Sequence, residues 1–145
     1  MRLATGVAVT PLVRSALPVR PAATETTHEA EQAAQLLAAQ TAALMAAFAD
    51  ALQAQRPLAP FLAEDVSLRL VDEGRSIDGQ TAVAAALAAL DHGAFDARTT
   101  VTSLLTSPNH AVLEATMRGT QVGPYDGLAA TGRVVAAAYA AGFDL

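Results

Sequence analysis

The chain has 145 residues, 36 of them alanine, and a formal net charge of −5. All 9 basic residues are arginines and cysteine is absent, which excludes disulfides, thiolate catalysis, cysteine-ligated metals and lysine Schiff bases. An acidic chain lacks the concentrated positive charge that nucleic acid binding needs, and no apolar run reaches the roughly 18 residues of a membrane span. The counts predict one soluble globular domain that binds neither nucleic acid nor membrane.

The first 24 residues differ from the rest, with three arginines, three prolines and no acidic residue. We expect residues 1–24 to form a flexible extension, with a short strand at Leu3–Thr10, before a domain at residues 25–145. Polar residues and a proline interrupt the apolar stretch that a signal peptide requires. The sequence therefore favours a cytoplasmic protein, with export as the alternative.

A long amphipathic helix opens the predicted domain. Five residues recur at spacings of four, three, four and four, which is one face of an α-helix: Leu37, Thr41, Leu44, Phe48 and Leu52. An acid-rich first turn precedes them, so we predict a helix over Glu29–Gln53. Pro57 and Pro60 end it and begin a short second turn.

The rest of the chain alternates short strands, one helix and longer strands. Asp65–Leu70 and Arg75–Ile77 predict a hairpin, after which Asp78 is a plausible N-cap for a helix at Gly79–Leu90. Three longer predicted strands follow: Ala97–Thr106, Ala111–Val122 and Arg133–Leu145. Helices first and strands last predict an α+β fold, in which a curved antiparallel sheet wraps round the long N-terminal helix and encloses an apolar cavity.

Three segments carry a family resemblance. They are LAPFLAEDVSLRL (58–70), IDGQTAVAAAL (77–87) and above all GTQVGPYDGLAATGRVV (119–135). Over about residues 30–145 the chain resembles the SnoaL-like polyketide-cyclase family, within the nuclear-transport-factor-2-like superfamily. The resemblance implies a cone-shaped fold with a ligand pocket and, in active members, cyclase, isomerase or dehydratase chemistry without a cofactor.

The chain departs from the family pattern at three places. The histidine that family members carry after Gly-Thr is Gln121, and the acid of the following strand falls near Ala141. Family members also continue into one more strand, whereas this sequence stops at Leu145. The resemblance therefore implies the fold and the pocket but not the acid–base pair. We expect residues 3–10 or a partner's edge strand to cover strand 133–145, unless the natural chain is longer.

Strand alternation assigns the predicted pocket. In strand 111–122 the odd positions are the more apolar and include Gln121, so we expect them to face the cavity. The register of the resemblance turns Val135, Ala137, Tyr139, Ala141 and Phe143 inward. The predicted pocket residues are Leu44, Phe48, Met117, Gln121, Tyr139 and Phe143.

Three residues are weak catalytic candidates, each with a structural alternative. Gln121 either orients a ligand carbonyl or bonds to neighbouring backbone. Tyr139 either donates to an enolate-like oxygen or is a core aromatic with its hydroxyl at the rim. Asp126 is either a general base or a turn residue beside Gly127. Histidines 28, 92 and 110 lack ligand spacing, so we expect no metal and no cofactor.

Three functions follow from these patterns. The leading one is a catalytically reduced pocket protein for a small hydrophobic compound of polyketide, steroid or ester type. The second is an active cyclase, isomerase or dehydratase, with Asp126 or Asp144 as base and Gln121 and Tyr139 as donors. The third is a structural module that dimerises through the outer face of the sheet, and a homodimer also remains open for the first two.

Overall fold

The computed structural model describes residues 23–71, 74–125 and 127–145. Its elements, in chain order, are α1 (Ala23–Gln53), a 3-10 turn (Ala59–Phe61), β1 (Ser67–Leu70), β2 (Arg75–Asp78), α2 (Gln80–Ala88), a π-helical turn (Ala89–Ala94), β3 (Phe95–Ser107), β4 (His110–Gln121) and β5 (Val134–Asp144). The predicted α+β class, the order of its elements and the antiparallel pairing are confirmed. The strand expected at Leu3–Thr10 and the hairpin tip at residues 72–73 lie outside the described residues.

The strands form two antiparallel sheets. β1 pairs with β2, and β3, β4 and β5 form a three-stranded sheet with β4 at its centre. Ala115 of β4 lies opposite both Val101 of β3 and Tyr139 of β5. β3 carries a register shift between Val101 and Ser103, whereas β4 and β5 pair without interruption over eleven positions.

Helix α1 packs a narrow stripe onto the larger sheet. Thr41, Met45, Phe48 and Leu52 are buried, at spacings of four, three and four. Leu44, predicted on this face, is 41% exposed, and Met45 at 1% exposure takes its place in the stripe. The predicted face is therefore one residue off at this turn. The helix also includes Ala23, six residues before the predicted start at Glu29, as its alanine-rich sequence permits.

The two halves of α1 have different surroundings. Side chains from Thr26 to Leu36 are exposed, while the buried stripe belongs to the C-terminal half. By length and composition alone, the stretch Thr26–Gln53 is long and apolar enough to cross a membrane. Its buried stripe packs against the sheet, as the core helix of a globular domain does, so its length is no evidence for a membrane span.

Side-chain hydrogen bonds fix α1 along β3. Near its C-terminus, Gln55 donates from Nε2 to the carbonyl oxygen of Ala97 (2.6 Å), and the Oε1 of Gln53 accepts from the backbone N–H of Val101 (3.2 Å). Further up the helix, the Oγ1 of Thr41 accepts from the N–H of Asn109 in the β3–β4 turn (3.1 Å). The helix therefore runs antiparallel to β3.

The predicted cap of α2 is wrong. Helix α2 has Gly79 at its N-cap, without a side-chain cap bond. The Asp78 carboxylate instead accepts a hydrogen bond of 2.6 Å from Ser67 Oγ across the β1–β2 hairpin. Gln80 joins α2 to the 3-10 turn, donating to the carbonyl oxygen of Leu62 at 2.8 Å and to that of Ala59 at 3.2 Å.

Gly119, the glycine of the Gly-Thr pair, lies on β4 directly opposite Ala97 of β3. A Cβ at this position would overlap the Cα of Ala97 and the carbonyl oxygen of Asp96. These contacts are to backbone, which cannot swing away as a flexible side chain does. The glycine is therefore required by the approach of the two strands at this point.

We predict that Gly119→Ala destabilises the protein by about 1–3 kcal/mol, because overpacking against backbone forces the strands apart. Gly142→Ala is the matched control, since Gly142 also lies in a strand and an added Cβ meets nothing within 4 Å. We expect the control to change the free energy of unfolding by less than about 1 kcal/mol. Urea unfolding measures both, and equal stability of the two variants would contradict the close approach.

Candidate functional site

The inner face of the larger sheet is apolar and faces α1. Along β4 the odd positions Ala111, Leu113 and Ala115 are buried, while their even neighbours are exposed. Cross-strand pairing sets Tyr139 on the same face, because it lies opposite Ala115. This face is the surface on which the sequence predicts a ligand site.

Two apolar clusters occupy opposite ends of this face. In the Phe48 cluster, the Phe48 ring makes edge-on contacts with Phe61 and Phe143, with centroids 5.9 and 5.2 Å apart. In the Phe95 cluster, Ala94, Phe95 and Ala97 pack with Met117 and Val135. The structure thus brings predicted pocket residues Phe48 and Phe143 together and places Met117 in the other cluster. Leu44, the remaining apolar residue of the predicted pocket, lies at the exposed edge of the buried stripe of α1.

Between the clusters, the inner face of β5 is partly open. Ala137, Tyr139 and Ala141 form what we call the β5 strip. Ala137 is exposed, Ala141 is half-buried, and Tyr139 is 39% exposed. The strip is open because α1 lies along β3 and reaches β5 at Phe143.

Gln121 is buried at 7% exposure and fully engaged. Its Nε2 donates to the carbonyl oxygens of Gly123 (3.2 Å) and Ala129 (3.3 Å), and its Oε1 accepts from the Thr131 hydroxyl (2.7 Å). Its backbone N–H also donates to the carbonyl oxygen of Arg133 (2.9 Å). Gln121 therefore ties the loop between β4 and β5 to the end of β4, which matches the structural alternative.

We predict that Gln121→Ala lowers the free energy of unfolding by about 1–3 kcal/mol, because it removes the three side-chain hydrogen bonds that hold the loop to the end of β4. Gln121→Glu should cost at least as much, since a carboxylate oxygen would replace the amide that donates to two carbonyl oxygens. The control is Gln35→Ala, at an exposed glutamine of α1. Urea unfolding and the rate of loop proteolysis measure the effect; unchanged values for Gln121→Ala would contradict this role.

Acidic groups are absent from the described part of the inner face. No described residue on that face of β3, β4 or β5 carries a carboxylate or an imidazole. Asp144 lies on the outer side, where its Oδ1 is 2.9 Å from Nδ1 of His110. Asp126, the other candidate base, lies outside the described residues. The face can therefore contact an apolar molecule, but its described side chains offer no acid–base pair.

Two surface depressions occur within the described residues, one lined by Glu64 and residues 78–82 and the other by Gln32, Gln35 and Leu36. Neither involves a predicted pocket residue. Within the described ranges, no three His, Asp or Glu side chains lie together as metal ligands would. Along β5 the inner face is open to solvent, and we call this open stretch the groove.

Known proteins share this architecture. The sequence profile of the SnoaL-like polyketide cyclases matches residues 39–142. Among solved structures, a protein of Jannaschia sp. CCS1 described as a SnoaL-like polyketide cyclase is 16% identical, with a TM-score of 0.64 over 75% of this chain and 78% of that one. One from Silicibacter sp. TM1040 described as a polyketide cyclase is 25% identical, with a TM-score of 0.60 over 72% and 79%.

A third similar structure has a ketosteroid isomerase-like fold. It is a Catenulispora acidiphila protein in complex with trimethylamine, 19% identical, with a TM-score of 0.55 over 70% of this chain and 75% of that one. No curated protein matches the sequence. These similarities confirm the expected cone-shaped fold.

Proposed function

Since the chain belongs to the SnoaL-like polyketide cyclase family, we propose that it binds a small, largely hydrophobic compound of polyketide, steroid or ester type in the groove of its inner sheet face. The binding surface is the β5 strip together with the adjoining edges of the Phe48 and Phe95 clusters. The protein binds its ligand there as a family member that lacks the acid–base pair of the family pattern.

The observation that carries the proposal is the open apolar β5 strip. Tyr139 presents an exposed ring on the side of the sheet where the other large apolar side chains are buried or half-buried, and alanines flank it at positions 137 and 141. Covering such a surface with an apolar molecule gains about 25 cal/mol per Å² removed from water. The strip therefore offers a hydrophobic ring system a flat contact, with a phenol beside it.

The chemistry of the face supports binding rather than proton transfer. Abstraction of an acidic proton needs a base within hydrogen-bond reach and donors for the resulting enolate. Gln121 already uses both amide donors and its acceptor on the β4–β5 loop. Asp144 is turned to the outer side beside His110. Of the two candidate bases, Asp126 is the one that remains for an active cyclase or isomerase.

The trimethylamine complex of the Catenulispora acidiphila protein gives modest support, because that protein of similar fold holds a small organic molecule. At 19% identity it supports the fold of this chain and not the identity of the ligand. The polyketide, steroid or ester class is taken from the family and from the apolar strip.

We predict that a methyl anthraquinone-carboxylate binds the wild-type protein and that Ala137→Asp weakens binding at least tenfold, about 1.4 kcal/mol. A carboxylate on the strip must lose water when the apolar ring covers it. Ala138→Asp is the matched control, because Ala138 is the next residue, is also exposed and points to the other face. Isothermal titration calorimetry measures the three dissociation constants.

Equal weakening by both substitutions, or no binding to the wild type, would contradict the proposal. The same ester also tests the catalytic alternative. Turnover by the wild type that Asp126→Asn abolishes would show an active enzyme and remove the claim of reduced catalysis. We expect the ester to be recovered unchanged.

A further inference from the structure

The outer face of the larger sheet carries a serine, a histidine and an aspartate in one row. At the strand ends, Ser107 of β3 lies opposite His110 of β4, and His110 lies opposite Asp144 of β5. Residues paired directly across neighbouring strands project from the same face of a sheet. All three side chains are exposed, on the face opposite the groove, and we call them the Ser-His-Asp row.

The carboxylate orients the imidazole in the middle of the row. His110 Nδ1 lies 2.9 Å from Oδ1 of Asp144, so in the neutral ring Nδ1 carries the proton and Nε2 is the nitrogen that accepts one. β4 lies between β3 and β5, which places Ser107 on the other side of the histidine. Cβ atoms of directly opposed residues are about 4.5–5.5 Å apart, a gap that rotation of the two side chains closes.

Backbone contacts fix the strand ends that carry the row. Pro108 and Asn109 form the two-residue turn between β3 and β4, with Asn109 in the left-handed region at φ 60°. The N–H of Asn109 donates to Thr41 Oγ1 (3.1 Å), and its carbonyl oxygen accepts from the N–H of Leu145 (2.8 Å). The turn is therefore tied both to α1 and to the end of β5.

An exposed apolar pair lies beside the row. Leu105 and Val112 are directly opposite each other, two residues along each strand from the row, and both are exposed. Gly142 takes the corresponding position on β5 and has no side chain to cover them. Two residues of a strand span about 6.6 Å, so a six-carbon acyl chain with its carbonyl carbon at the serine reaches this pair.

A serine nucleophile, a histidine base and an orienting carboxylate form acyl-enzymes on many unrelated folds. We propose that the Ser-His-Asp row is a second site, which hydrolyses apolar acyl esters with Ser107 as nucleophile and His110 as base. Asp144 is a positioning residue, because it acts on the substrate only through the imidazole. The apolar pair binds the acyl chain. This activity goes beyond binding in the groove and does not depend on it.

The proposed reaction has two steps that use the same imidazole nitrogen. Ser107 Oγ bonds to the carbonyl carbon of the ester as its proton passes to His110 Nε2, and the ester C–O bond then breaks as the leaving alcohol takes that proton. Water next attacks the acyl carbon and gives a proton to Nε2. The bond from the acyl carbon to Ser107 breaks, the serine regains the proton, and the carboxylic acid leaves.

Hydrolysis of p-nitrophenyl hexanoate, followed by the release of p-nitrophenolate, tests the site. We expect Ser107→Ala and His110→Gln to lower kcat/KM by roughly tenfold or more, because each removes a group from the acyl transfer. The controls are Ser103→Ala, on the same strand and face but opposite Glu114, and His28→Ala, at an exposed imidazole of α1. We expect both controls to keep the rate of the wild type.

Mass spectrometry of the wild type identifies the nucleophile and remains informative if a variant fails to fold. Protein quenched in acid during turnover should carry the hexanoyl group on Ser107. Leu105→Ser should raise KM for the hexanoate ester and leave KM for p-nitrophenyl acetate unchanged, because an acetyl group does not reach the apolar pair.

Asp144→Asn tests the positioning role. We expect a loss in kcat/KM of roughly tenfold or more, because an amide can donate to Nδ1 and thereby favour the wrong tautomer of the ring. The ¹⁵N signals of the His110 ring should change from the Nδ1–H to the Nε2–H tautomer. An unchanged rate with an unchanged tautomer would contradict the positioning role.

An absence of hydrolysis by the wild type would overturn the proposal, as would equal rates for the wild type, Ser107→Ala and His110→Gln. Hexanoyl on His110 alone, or on a residue outside the row, would also overturn it, since a lone imidazole attacks activated esters by itself.

The groove ligand separates this site from the proposed binding site. A methyl anthraquinone-carboxylate at saturation should not inhibit the hydrolysis, because it is held on the other face of the sheet, and its methoxide is a far poorer leaving group than p-nitrophenolate. Inhibition would place the reaction in the groove and overturn the proposal. Hydrolysis is measured without the groove ligand, so its failure is distinct from failure of the proposed binding.

Discussion

The anchoring of α1 along β3 is the constraint on which the rest of the structure depends. Gln53 and Gln55 bond the free edge of β3, and Thr41 bonds the β3–β4 turn, so the direction of the helix is fixed along that strand. Its buried stripe consequently covers β3 and β4, and at β5 it contacts Phe143. The partial opening of the inner face results from this unequal cover.

The opening also determines the chemistry that the groove can offer. Where family members carry a histidine, this chain carries an amide that is buried and bonded on three sides to the following loop. A histidine has one fewer hydrogen-bonding position on its ring than that network uses, so Gln121 and the loop form one structural unit. The groove thereby keeps its shape and its apolar lining without a group that exchanges protons.

Much of the fold could be predicted because its patterns are local. The two-residue alternation of β4 identified its inner face, and the Pro and Gly positions identified the C-terminal end of α1 and the turns. The burial of Leu44 was predicted wrongly, because positions 44 and 45 are both apolar in an alanine-rich helix. Only packing against Leu113 and its neighbours decides which of the two residues faces the sheet. The role of Asp78 was predicted wrongly, because its carboxylate, which was expected to cap α2, accepts a hydrogen bond from Ser67, eleven residues away.

The site was less predictable than the fold. The partners of Gln121 include Thr131, which lies ten residues away across an irregular loop, and no periodic pattern encodes that contact. The closed cavity was expected from a curved sheet wrapped round the long helix, whereas its closure depends on what lies over β5, which alternation cannot reveal. The register of the resemblance assigned Tyr139 to the inner face, where its pairing with Ala115 places it, but its exposure follows from the path of α1.

The most direct test of the central claim is a methyl NMR titration with a methyl anthraquinone-carboxylate, using protein labelled at alanine methyl groups. β5 carries alanines on both faces, so their methyl signals distinguish a ligand on the inner face from one on the outer face. We expect the methyl signals of Ala137 and Ala141 to shift on binding and those of Ala136, Ala138 and Ala140 to stay in place. Shifts confined to the second group, or no shift in β5 at saturation, would contradict ligand binding on the inner face.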